Sequence, residues 1–213
     1  MMKKYYPVVG ILALVAALGL SRAGEMEELH LITALAVDRQ EGAVAVTAVT
    51  GVRAGEGEEP VILTGRGSDL PGALRDMGER RPSRAYLGQA DKLLLGEDLA
   101  RGGLMEVLEF VLDHRELGLD TLLYIVRGSG GEGLAATAPA MAGETPGRDK
   151  RGVSVGQVLA RLCAGRSVQV PALAAGEDGM LAPGGWAILE PRGLMGYASD
   201  VMRAESGGGW SHV

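Results

Sequence analysis

"LHLITALAVDRQEGAVAVTAVTGV", residues 29–52, decides the fold. Leu29, Leu31, Thr33, Leu35 and Val37 recur with period two, which puts them on one side of a strand. Arg39-Gln40-Glu41-Gly42 supplies a turn, and a second alternating run covers Ala43 to Val52. The stretch reads as a hairpin, and the rest of the chain must cover its apolar side.

After an acidic, glycine-containing loop (55–60), a third strand is expected near Val61 to Gly65. Ser68 or Asp69 can then cap a helix whose Leu70, Ala73, Leu74 and Met77 keep the spacing of one buried stripe, ending over Gly78 to Pro82. A short strand at Lys92 to Leu95 precedes a helix with Leu104, Val107, Leu108, Val111 and Leu112 on one face. Another strand follows at Thr121 to Val126. Beyond residue 152, Val155, Val158, Leu159 and Leu162 predict a helix, Val168 to Leu173 a strand, and Gly185 to Ala198 a hairpin turning at Pro191-Arg192-Gly193.

Strands and helices mix without strict alternation, so the class is α+β: a mixed sheet with packed helices, then a second small α+β domain. The expected organisation is a signal peptide or membrane anchor at 1–23 and an α+β domain at 24–127. A Gly/Ala/Pro-rich linker at 128–152, a small second domain at 153–205 and a flexible tail at 206–213 complete it.

Composition narrows the function. With 21 basic against 27 acidic residues and 4% aromatics, the chain lacks the cationic face and stacking platforms that nucleic acid needs. Cys163 with three dispersed histidines, His30, His114 and His212, gives no metal-ligand spacing, and Cys163 itself reads as a small buried hydrophobe. Neither a metal nor a cofactor is expected.

Met1-Met2-Lys3-Lys4 is a positive leader to an uncharged run, Tyr5 to Ser21, as in a secretory signal or a short membrane anchor. Ser21-Arg22-Ala23 offers small residues for cleavage before Gly24, and the run is slightly short of a full span. Cleavage after Ala23 and retention both stay open. Either outcome implies export.

Three stretches imitate active sites. Gly128 to Gly133 matches a dinucleotide fingerprint, but Pro139 interrupts the helix that must follow it, and no strand appears before Arg151. Gly152-Val153-Ser154-Val155-Gly156 fits a nucleophile elbow, with Asp178 or Asp200 and then His212 in hydrolase order. A charged loop precedes that serine where a strand is needed, so Ser154 reads better as a helix N-cap. The cluster Arg75, Arg80, Arg81 and Arg84 reads as a solvated helix end ahead of a headgroup or acidic-partner site. No catalytic, cofactor-binding or metal residues are assigned.

Two stretches, "EMEELHLITALAVD" (25–38) and "LTGRGSDLPGALRDMGERRPSRAYLGQADKLLLGEDLARGGLMEVLEFVL" (63–112), resemble the N-terminal domain of the Ger(x)C family. Glu25, Leu29 and Asp38 match the family's opening, and Gly65, Gly67, Ala73 and Leu74 its "G-x-G-x-x-x-x-x-A-L-r" helix. Pro82, Tyr86, Gly88, Gly96, Glu97, Leu99, Ala100, Arg101 and Gly103 follow in order. The segment "GWAILEPRGLMGYAS" is similar to a hairpin of the family's second domain.

The resemblance implies a non-enzymatic C subunit of a spore nutrient-germinant receptor on the outer face of the spore inner membrane. It would sit beside an integral membrane A subunit and a permease-like B subunit. Three departures accompany it: Leu20 stands where the family carries its lipidated cysteine, Gln89 where it carries a histidine, and the family's third domain is not present. Without that cysteine the apolar segment is what can hold the protein to a membrane. The alternative reading is an exported, membrane-tethered serine hydrolase using Ser154.

Overall fold

β1 (Leu29–Gln40) and β2 (Ala43–Thr50) form the expected hairpin. Glu41 and Gly42 close it with φ of 51° and 83°, and two positive φ values in a two-residue turn match the right-handed twist of the strands. The computed structural model describes residues 29–50, 60–80, 84–114, 117–128, 133–142, 152–176 and 179–198. The segment 1–23, with Leu20 and Ala23, lies outside these residues, as does the tail 206–213.

After the hairpin come β3 (Ile62–Gly67), α1 (Leu70–Glu79), β4 (Arg84–Tyr86) and β5 (Lys92–Gly96). Two helices, α2 (Glu97–Gly102) and α3 (Leu104–Asp113), lead to β6 (Leu122–Arg127). A 3-10 turn (Gly133–Thr137) and α4 (Ala138–Ala142) follow, then α5 (Val155–Cys163), β7 (Val168–Ala175), β8 (Leu181–Glu190) and β9 (Gly193–Ala198).

All described strands belong to one mixed sheet ordered β3-β2-β1-β5-β6-β7-β8-β9, with β4 beside the start of β1. β1, β5, β6 and β7 run parallel, and antiparallel pairs flank them on both sides. The sheet therefore has an amino edge and a carboxyl edge, each carrying the like ends of four parallel strands. The class is α+β, as the sequence implies.

Parallel strands are buried on both faces, so their apolar runs are continuous. Leu93, Leu95, Leu123 and Ile125 share one core with apolar residues of α1, α2, α3 and α5; Leu94, Tyr124 and Val126 share another, on the opposite face, with Leu134, Ala138 and Met141. Residues 133–142 fall inside the segment read as a linker, yet they form the cover of that second face. The buried Lys92 donates from Nζ to the Met141 carbonyl at 3.3 Å, tying the end of α4 to the sheet. The parallel pair β6–β7 continues the sheet across the expected domain boundary.

Three expectations need correction. Leu112, expected on the same face of α3 as Leu104, Val107, Leu108 and Val111, is 50% exposed while those four are buried. A register shift between Ile32 and Ala34 breaks the alternation of β1: Ile32 and Leu35 share one core, while Leu31 is 39% exposed. A bulge adds one residue and flips the facing of everything before it. Cys163 is exposed at the last position of α5 and is not part of the core. Among the described residues no helix is long and apolar enough to cross a membrane.

Candidate functional site

Among the described residues, the carboxyl edge brings together a cluster of charged and polar side chains around α2. Asp38, near the end of β1, is 3% exposed and accepts the Arg39 N–H at 2.8 Å through Oδ1. Gly96 closes β5 against it, and a Cβ there would collide with the Asp38 carboxylate. A side chain there would force the buried carboxylate to move.

The first residue after Gly96 begins α2. Glu97 pairs with Arg101 one turn on at 2.6 Å, which raises the guanidinium's pKa further above its ordinary value. Arg39 reaches Glu106 of α3 at 3.8 Å. From the far end of the sheet, β9 folds back over α2: a Cβ on Gly193 would lie 2.5 Å from the Arg101 carbonyl oxygen and 2.8 Å from that of Ala100.

That return sets Tyr197 of β9 beside Glu97, with the Arg127 guanidinium at the end of β6 held 4.1 Å from the ring centroid. Cation and ring attract through the ring quadrupole. Burial first, and the Glu97 carboxylate second, push the Tyr197 phenol above its ordinary pKa. Among the described residues its hydroxyl, although buried, makes no hydrogen bond of standard geometry. The edge is thus a set of mutually engaged charges around α2; among the described residues no nucleophile is poised against a base in it.

The other pattern residues make close contacts of the same kind. A Cβ on Gly65 would come within 2.6 Å of the Met77 amide nitrogen, and one on Gly67 within 2.6 Å of the Gly72 carbonyl carbon, so both glycines let α1 lie directly on β3. Asp69 caps α1 by accepting the Gly72 N–H at 2.7 Å. Gly88 makes room for the ring of Tyr86, whose Cζ and Oη would stand 2.6 Å from an added Cβ.

The look-alike motifs are placed as follows. Ser154 has φ −78° and ψ 156°, ordinary extended backbone without the strain of an elbow, and its hydroxyl accepts the Gln157 N–H at 3.3 Å. Gln157 Oε1 accepts the Ser154 N–H at 3.1 Å, completing a capping box. Asp178, Asp200 and His212 lie outside the described residues. Gly128 follows β6 with φ 70°, residues 129–132 lie outside the description, and the chain resumes as a 3-10 turn and a five-residue helix.

Of the arginines, Arg75 is exposed, and Arg80 pairs with Asp76 at 2.9 Å. The Asp76 carboxyl is held below its ordinary pKa, by the Arg66 N–H first and Arg80 second. Arg81 lies outside the described residues, and Arg84 opens β4. Gln89 is exposed and ends a 3-10 turn whose Leu87 is buried. Among the described residues no three His, Cys, Asp or Glu side chains stand together as metal ligands. Sequence reasoning missed the Glu97–Tyr197–Arg127 cluster, which three distant segments supply.

Residues 22–146 match the family described as spore germination protein N-terminal domain. Among solved structures, the crystal structure of the GerBC protein is similar, with 18% identity over 78% of this chain and a TM-score of 0.41. The chain spans about half of that protein, 52% of its length. No curated protein matches.

Proposed function

The chain belongs to the spore germination protein N-terminal domain family, the Ger(x)C proteins, and from that premise we propose that it is the C subunit of a nutrient germinant receptor. The match over residues 22–146 carries this reading. It gains support from where the family's pattern residues stand: Asp38 against Gly96, Gly65 and Gly67 against α1, Tyr86 over Gly88.

In this reading the subunit does no chemistry. It is exported and held at the outer face of the spore inner membrane by the uncharged segment Tyr5–Leu20, with integral membrane A and permease-like B subunits as partners. Residues 24–127 form its N-terminal domain, and residues 153–205 a second unit sharing the same sheet. The hydrolase alternative is disfavoured because the Ser154 hydroxyl is engaged as a helix cap.

The test is mass spectrometry of what copurifies with a C-terminally tagged copy from detergent-solubilised spore membranes. Recovery of a permease-like protein and a second integral membrane protein, with Tyr5 to Leu20 still attached, is the expected result. Recovery of the chain alone, beginning at Gly24, would sink the assignment.

A further inference from the structure

Seven large apolar residues are exposed among those described: Leu31, Ile62, Tyr86, Leu112, Leu119, Met180 and Met195. Five of them belong to one side of the molecule. Leu31 and Tyr86 are register partners where β4 runs beside the start of β1. Ile62 opens β3 opposite Val49, itself paired with Ala34 at the level where β5 begins. Leu119 stands in the turn that enters β6, and Leu112 near the end of α3, which leads to that turn. All five lie toward the amino edge, opposite the charged cluster around α2. Scattered single apolar residues need no explanation, but a set concentrated along one edge does.

The same edge receives the chain from the uncharged segment. Ser21 to Glu28 are the eight residues between Leu20 and β1, and such a tether reaches at most about 30 Å when fully extended. β1 alone has 12 residues and rises roughly 40 Å. Were the carboxyl edge turned to the membrane, Leu29 would stand farther from the surface than its tether can reach. Tyr86, its ring folded over Gly88 and still 46% exposed, has the amphipathic character that favours the boundary between headgroup and acyl chain.

We propose that the amino edge of the sheet, presenting Leu31, Tyr86, Leu112 and Leu119, rests on the lipid surface that Tyr5–Leu20 enters, with the carboxyl edge facing away. This rests on the reading that the apolar segment is retained as an anchor. The full chain, carrying Cys163→Ser, is reconstituted into vesicles of equal parts phosphatidylglycerol and phosphatidylethanolamine. An environment-sensitive fluorophore is placed at Tyr86→Cys, at Leu119→Cys, or at Glu41→Cys in the turn between β1 and β2. Flotation with the vesicles, together with several-fold stronger quenching by a lipid-borne quencher at positions 86 and 119 than at 41, is the expected result. Flotation with quenching at 41 equal to that at both other positions would overturn the orientation and leave the anchor standing. A chain that fails to float would overturn both.

Discussion

The carboxylate of Asp38 and the bare Cα of Gly96 pack against each other at the ends of two neighbouring parallel strands. One is near the end of β1 and the other ends β5, so the contact holds only if both strands keep register. Gly96→Ala is expected to destabilise the protein by about 2 kcal/mol, the ordinary cost of forcing an extra carbon into a packed site. Combined with Asp38→Ala, part of that loss is recovered. Strictly additive losses in urea unfolding would mean the two residues are not in contact.

Ser154→Ala is expected to lower stability by about 1 kcal/mol through the lost cap, a fall in Tm of roughly 2–4 °C for a chain of this size. Ser154→Asp, which can also cap, should behave nearly as the parent does. An esterase activity abolished equally by both substitutions would show that the hydroxyl is a nucleophile after all.

Met141→Ala tests whether residues 133–142 cover the sheet. Met141 is fully buried against Leu94 and Tyr124 in the second core, so truncation should cost about 2–5 kcal/mol. Chemical denaturation measures it directly; a loss below about 0.5 kcal/mol is what a surface position gives and would mean that the segment does not pack as a cover.

Tyr197 predicts a pH dependence. Its native pKa is raised above the ordinary 10.0, so native and unfolded chains both carry the proton below that pH and the contribution to stability is whole. Above pH 10.0 the unfolded chain ionises first, and the contribution is lost as pH climbs toward the native value. Tyr197→Phe should therefore flatten the alkaline fall in stability while leaving neutral stability nearly unchanged. Parallel profiles for the two proteins would show the phenol to be as free in the native state as in the unfolded one.

The contrast between what was legible in the sequence and what was not has a physical basis. The β1–β2 hairpin, the Asp69 and Ser154 caps and the stripes of α1, α3 and α5 follow from local patterns, and each forms where its residues predict apart from Leu112, which stands outside the buried stripe of α3. The bulge near Thr33 escaped because alternation is blind to one inserted residue. β4 is three residues long and leaves no period to detect. Residues 133–142 were hidden by their alanine content and by Pro139, although Leu134 and Met141 are as buried as any strand residue. The meeting of Glu97, Arg127 and Tyr197 depends on β9 folding back over α2, which no local pattern announces. Family resemblance located Asp38 and Gly96 separately, and the parallel pairing of β1 with β5 explains why both are needed.

That pairing also dictates an order of events during folding. β1 finds one neighbour at once, because β2 is joined to it by a two-residue turn. Its other side stays open until β4 reaches Leu29–Leu31 and β5 reaches Ala34–Val37, and closing so large a loop is slow compared with forming a hairpin. Through that interval the chain carries an apolar strand paired along one side only. If that closure limits the rate, Gly96→Ala slows refolding as well as weakening the product; stopped-flow refolding that proceeds at the parent rate, with the whole loss in faster unfolding, would place the strand junction after the rate-limiting step.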